Sequence, residues 1–210
     1  MPTLSQAISR TSSAPAIIVP APTGAATTIT YPHLAHLITA FQNKLASFGV
    51  TGGSAVSIAL PNTLEFAIAF LAVSNQRCIA APLNPGYKQA EFEFYLDDLK
   101  SKLIIVPRGA AEKGAEAVKA ARAFGAAVAE VWWEGGEVRV VLVEKGRLGA
   151  AAGVETAGEE DVALVLHTSG TTGRPKAVPL SHRNLTRTMR EFFFPVHDGQ
   201  NLMKRVQRIL

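Results

Sequence analysis

The sequence predicts an α/β fold: a mostly parallel sheet with flanking helices, plus short β-hairpins. Three observations carry this. Short apolar runs alternate with stretches of helical periodicity at the spacing of βαβ units. Glycine, proline or asparagine punctuates the junctions, as at Gly49, Asn84-Pro85-Gly86 and Gly135-Gly136. The apolar run at 162–166 leads straight into a segment dense in hydroxyls and glycines, at the strand end where open α/β sheets bind ligands.

In chain order, residues 16–19 and 27–30 are β-rich runs parted by Pro20, Pro22 and Gly24, which suits a hairpin. Leu34, Leu37, Ile38, Phe41, Leu45 and Phe48 follow helical spacing up to Gly49. Residues 55–60 read as a buried strand. Asn62 with Glu65 three residues on reads as a reciprocal cap opening an apolar helix to about Asn75, which makes Glu65 a capping residue. Residues 78–83 form the next strand and 90–99 a helix carrying Phe92, Tyr95, Leu96 and Leu99 on one face. Strand 103–106, an alanine-rich helix at 112–124 and strand 127–133 follow, the last turning through Gly135-Gly136 into 138–143. Trp132 and Trp133 point to opposite faces of that strand, one toward the core and one partly exposed. Residues 145–160 read as a loose connector. Strand 162–166 delivers the hydroxyl-rich loop, 177–180 resumes extended structure, and Ser181 caps a helix through Asn184, Leu185, Met189 and Phe192.

The 210 residues are 48% hydrophobic and 18% charged, enough for a sizeable core. No run of 18 apolar residues occurs, so no membrane span is expected. The single cysteine, Cys78, excludes an internal disulfide, suits a reducing compartment and lies in an apolar run that predicts a buried, inert thiol. Charge is uneven: residues 1–166 hold 13 Lys/Arg against 15 Asp/Glu, while 167–210 hold 8 against 2. A basic end can bind nucleic acid, but no aromatic interleaving accompanies it, so nucleic acid is not expected as a partner. One arginine, Arg10, before Lys44 is too little for a transit peptide, and a cytoplasmic location is expected.

The segment from Leu166 to Val178 carries the chemistry. Thr168, Ser169, Gly170, Thr171, Thr172, Gly173 and Lys176 combine hydroxyl donors, glycines that let backbone N–H groups approach closely, and one compact cation. That is the equipment for holding a polyphosphate. Arg174-Pro175 stands where a Walker A loop would have Gly-Lys-Ser/Thr, and no G-x-G-x-x-G occurs. The plain rival is a Ser/Thr/Gly-rich turn joining two strands.

Residues 168–176 resemble the signature loop of the AMP-binding, adenylate-forming superfamily, T-S-G-(S/T)-T-G-x-P-K, with Ala177 where the family usually has glycine. The runs Ala59-Leu60-Pro61-Asn62, Pro82-Leu83-Asn84-Pro85 and 97–103, with Ser181-His182-Arg183-Asn184-Leu185, are similar to the same family's N-terminal region. They point to the acyl-CoA synthetase side, nearest the oxalate–CoA ligase branch. That branch often ends in a peroxisomal Ser-Lys-Leu-type tripeptide, whereas this chain ends Arg208-Ile209-Leu210.

The resemblance implies a partial N-terminal AMP-binding domain over residues 1–191, family-like from 15 to 190, a divergent tail at 192–210, and an absent C-terminal lid domain. It implies ATP, magnesium and coenzyme A as cofactor and co-substrates, and a small-molecule carboxylic acid as partner. Thr168, Ser169, Gly170, Thr171, Thr172 and Gly173 would cradle the β- and γ-phosphates, with Lys176 as the catalytic cation and Pro175 stiffening the exit. His167 could face the nucleotide pocket or be a packed strand residue; His182 reads as structural. The family's adenine, ribose and magnesium contacts lie beyond residue 210. The alternative is therefore a non-catalytic truncated remnant with weak or no nucleotide binding and an exposed sheet edge.

Overall fold

The computed structural model describes residues 3–21, 23–168 and 174–193. A hairpin of β1 (Pro15–Val19) and β2 (Thr27–Thr30) precedes a seven-stranded sheet. The sheet comprises β3 (Ala55–Ile58), β4 (Ile79–Pro82), β5 (Leu103–Pro107), β6 (Ala127–Glu134), β7 (Glu137–Glu144), β8 (Val162–Thr168) and β9 (Lys176–Ser181). Its order is β7-β6-β5-β3-β4-β8-β9, parallel from β6 to β8 and antiparallel at both edges. The helices are α1 (Leu4–Ala7), α2 (Tyr31–Ser47), α3 (Leu64–Asn75), α4 (Gln89–Leu99), α5 (Glu116–Phe124) and α6 (His182–Phe193). The predicted fold class and both hairpins stand.

Strand order decides which face each helix covers. The chain steps one way from β3 to β4, then back across β3 to β5 and on to β6. With the hand of the crossover constant, reversing direction sends the connecting helix to the opposite face. Accordingly α2 and α3 pack Phe41, Leu45, Ile68 and Val73 against Val56, Ile58, Leu103 and Ile105. On the other face α4 and α5 pack Phe92, Leu96, Val118 and Ala121 against Ile104, Val106 and Val128. The central strands are buried on both faces, which is why they read as nearly continuous apolar runs, interrupted in β3 by Ser57, whose hydroxyl is hydrogen-bonded to that of Ser101. Gly135 and Gly136 adopt φ of 62° and 83°, the positive pair a type I′ hairpin requires.

Three expectations are corrected, and one short helix was not foreseen. The reciprocal cap at Asn62 and Glu65 does not form: Thr63 is the N-cap, without a side-chain cap bond, and the Glu65 carboxylate accepts the Trp133 N–H at 3.0 Å. A tertiary partner outcompeted the local one. Helix α5 begins at Glu116, not 112, because Gly114 takes φ of 61° and the Glu130 carboxylate holds the preceding turn, accepting Gly109 N–H and Ala111 N–H at 2.8 Å each. The short α1 escaped the sequence reading, being a single turn. Finally, the connector at 145–160 is pinned. Gln42 Nε2 donates to the Glu155 carbonyl at 3.0 Å, and Gln76 Nε2 donates to the Gly153 carbonyl at 3.0 Å and that of Val50 at 3.3 Å. Gln76 Oε1 accepts Glu155 N–H, and the Glu155 carboxylate accepts Gly52 N–H at 2.6 Å.

The tryptophans divide much as expected: Trp133 packs on the α2–α3 core, while Arg108 lies over the Trp132 ring at 4.6 Å. Cys78 is fully buried, its Sγ directed at the Thr51 carbonyl, and burial pushes the thiol up to about 12. No described helix is long and apolar enough to cross a membrane.

Candidate nucleotide site

The candidate site is the bend of the β8–β9 hairpin. Because β8 runs parallel to β4, its C-terminal end lies on the same side of the sheet as the C-terminal ends of β3 to β6, where ligands of open α/β sheets bind. Thr168 closes β8 and Lys176 opens β9, and the two are direct cross-strand partners. Thr168, Arg174 and Lys176 are all exposed. The mouth of the bend therefore offers a hydroxyl facing a lysine across about 5 Å of sheet, open to solvent. Ser169, Gly170, Thr171, Thr172 and Gly173, the predicted cradle, lie outside the described residues.

Local sequence explains the frame. Pro179 sits on the outer strand, where sheets tolerate proline and where it discourages further strand addition. Beyond it, Ser181 Oγ accepts Asn184 N–H at 3.2 Å, while Asn184 Oδ1 accepts Ser181 N–H at 2.9 Å, starting α6 as predicted. Leu166 and Val178, opposite each other, are 43% and 38% exposed and form an apolar pair on the α3 side of the hairpin. Among the described residues β9 is one edge strand of the sheet and β7 the other.

The two histidines resolve differently. His167 is packed and hydrogen-bonded: its Nε2 lies 3.0 Å from Asp98 Oδ2 and its ring meets Tyr95 edge-on at 4.6 Å. Burial, then the hydrogen bond to Tyr87, pushes the Tyr95 phenol up to about 12. Asp98 and Tyr95 were not anticipated as neighbours of the site. Asp98 lies 69 positions from His167, and no local pattern marks such a pair. His182 is structural, 1% exposed, with Nδ1 accepting Leu4 N–H at 3.2 Å. Its Nε2 completes no hydrogen bond among the described residues, and burial pushes the imidazole below its ordinary value, opposed by the nearby Ser74 carbonyl and Asp161. No group of three or more His, Cys, Asp or Glu able to hold a metal ion occurs among the described residues.

A mostly parallel sheet with helices on both faces, extended by a hairpin beside β4, is an open α/β domain of the kind that binds ligands at the C-terminal ends of its strands. The AMP-binding enzyme family model matches residues 4–208, and the chain belongs to that family. It is 39% identical over 188 residues to the oxalate–CoA ligase of Saccharomyces cerevisiae, covering 77% of this chain and 35% of that protein. It is 36% identical over 163 residues to the oxalate–CoA ligase of Arabidopsis thaliana, covering 77% of this chain and 32% of that one. Among solved structures, ATP-bound MatB from Rhodopseudomonas palustris superposes with a TM-score of 0.68 at 25% identity, over 90% of this chain and 37% of that one. The chain spans about a third of the length of these relatives.

Proposed function

We propose that the chain contributes the phosphate-binding part of an acid–thiol ligase that uses ATP to activate a carboxylic acid. A carboxylate oxygen attacks the α-phosphorus, a P–O bond forms, the α–β anhydride bond breaks and pyrophosphate departs. The acyl-adenylate is then attacked at its carbonyl by a thiolate, that of coenzyme A, and AMP leaves. The observation that carries this reading is the hairpin mouth, with Thr168 and Lys176 as cross-strand partners at the C-terminal sheet edge in a chain of this family. The chemistry asks mainly for positioning and for neutralising charge on the phosphates. Ser169 to Gly173 would cradle the β- and γ-phosphates, and the Lys176 ammonium would offset the charge accumulating on pyrophosphate. The described residues include no cluster of acids fitted to magnesium, so no step is assigned to that ion.

Carboxylate-dependent exchange of labelled pyrophosphate into ATP, run with short acids including oxalate, tests the reading. Exchange should fall about 100-fold in Lys176→Ala, on the scale of losing one transition-state donor. Exchange unaffected by that substitution would remove the role of Lys176. A folded chain, seen by circular dichroism, that shows no exchange with any acid would overturn the reading.

A further inference from the structure

We propose that His167 and Asp98 are a positioning pair that fixes the direction in which the phosphate loop leaves the sheet; this rests on the loop being the site for the ATP tail. The ladder between β8 and β4 contains one register pair, Ala80 with Leu164. Carrying that register on sets Val165 and Leu166 beside Ala81 and Pro82, where β4 ends, so His167 and Thr168 run on past β4. Their other neighbour is β9, which is itself the edge. Beyond Leu166 the described strands are thus a two-stranded arm, 167–168 against 176–177, and an isolated two-stranded ribbon is only marginally stable in water.

The far end of that arm is tied back to α4 by His167. Its Nε2 meets Asp98 Oδ2 at 3.0 Å, and its ring is boxed by Tyr95 at 4.6 Å and Phe94 at 6.5 Å, leaving the side chain 7% exposed. Tyr95 is held in turn by stacking on Tyr87 at 5.3 Å. Thr168, one residue on, faces the opposite side of the strand, and its cross-strand partner is Lys176. A twist of the strand end about its own axis would therefore displace the hydroxyl and the ammonium together. Positioning sites lose orders of magnitude to displacements near 1 Å, so a tether one residue from the loop's origin sets the aim of both groups.

The test uses the full chain in three variants: His167→Phe, keeping a ring without the hydrogen bond; Asp98→Ala, at a 40% exposed side chain where folding is not at stake; and His167→Gln, which keeps an N–H donor. Two quantities are measured: amide exchange across 165–180, and the dissociation constant for inorganic pyrophosphate with magnesium present. The Phe and Ala variants should exchange about tenfold faster in the arm alone and bind pyrophosphate about fivefold more weakly, with Gln restoring both. Arm exchange and affinity equal to wild type in both Phe and Ala variants would overturn the proposal. Faster exchange spread over the whole sheet would equally overturn it, assigning the pair a merely structural role. A wild-type chain that fails to bind pyrophosphate overturns the reading of the loop instead, while arm exchange still decides whether the tether exists.

Discussion

Replacing Gln76 with leucine should unfasten the connector between the two halves of the sheet. The side chain is fully buried and makes three hydrogen bonds: donation to the Gly153 carbonyl at 3.0 Å and the Val50 carbonyl at 3.3 Å, and acceptance from Glu155 N–H at 3.3 Å. Leucine matches its bulk but offers nothing to these backbone groups. A neutral hydrogen bond contributes about 1 kcal/mol net, and the two longer ones less, so the loss is about 2–3 kcal/mol once the stranded groups are included. For a chain of this size that corresponds to a fall of roughly 4 to 12 °C in Tm. Urea titration followed by circular dichroism gives the stability change, and amide exchange localises it. Exchange at 150–156 should rise more than in β3 to β6. A variant within 0.5 kcal/mol of wild type, or one whose connector stays protected, would refute the assignment of Gln76 as the pin.

Acid should weaken the fold in two windows. His182 is held below its ordinary value of 6.5, so the unfolded chain takes up that proton first and stability falls as pH drops through that value; His182→Leu should flatten this limb of a stability-versus-pH curve while freeing Leu4 N–H. Asp161 is held below the usual carboxylate range by the Gly158 N–H and then by Arg77, so its contribution is present above pH 3.8 and lost on further acidification; Asp161→Asn should shrink that second limb, leaving the part that Glu116 and Glu159 contribute. The Cys78 thiol, pushed up to about 12, should resist alkylation at pH 8 in the native chain and react at once in denaturant; equal rates in both would show the thiol is not buried. Alanine at Gly146 would put a Cβ 2.5 Å from the Ala126 carbonyl carbon at a φ of 49°, and should cost about 2 kcal/mol or more by chemical denaturation.

Signals confined to a few neighbouring residues were legible in the chain itself. The βαβ alternation, the Gly135-Gly136 hairpin, the Ser181–Asn184 cap and the buried Cys78 are written in residue types at fixed offsets or in single apolar runs, which reveal them. What misled was local signal overruled from afar. Glu65 had a cap to make and bonded Trp133 instead, and the glycine-spaced connector was ordered by Gln42 and Gln76, more than 75 positions away.

The sequence by itself determined the fold class and the family, because hydrophobic periodicity and a dense motif need no knowledge of what lies opposite. Only the tertiary structure decided the strand order, the faces taken by α3 and α4, and the union of His167 with Asp98. Those depend on contacts between segments far apart along the chain, and pairing of that kind is chosen by the free energy of the whole packed core, not by any stretch that can be read alone.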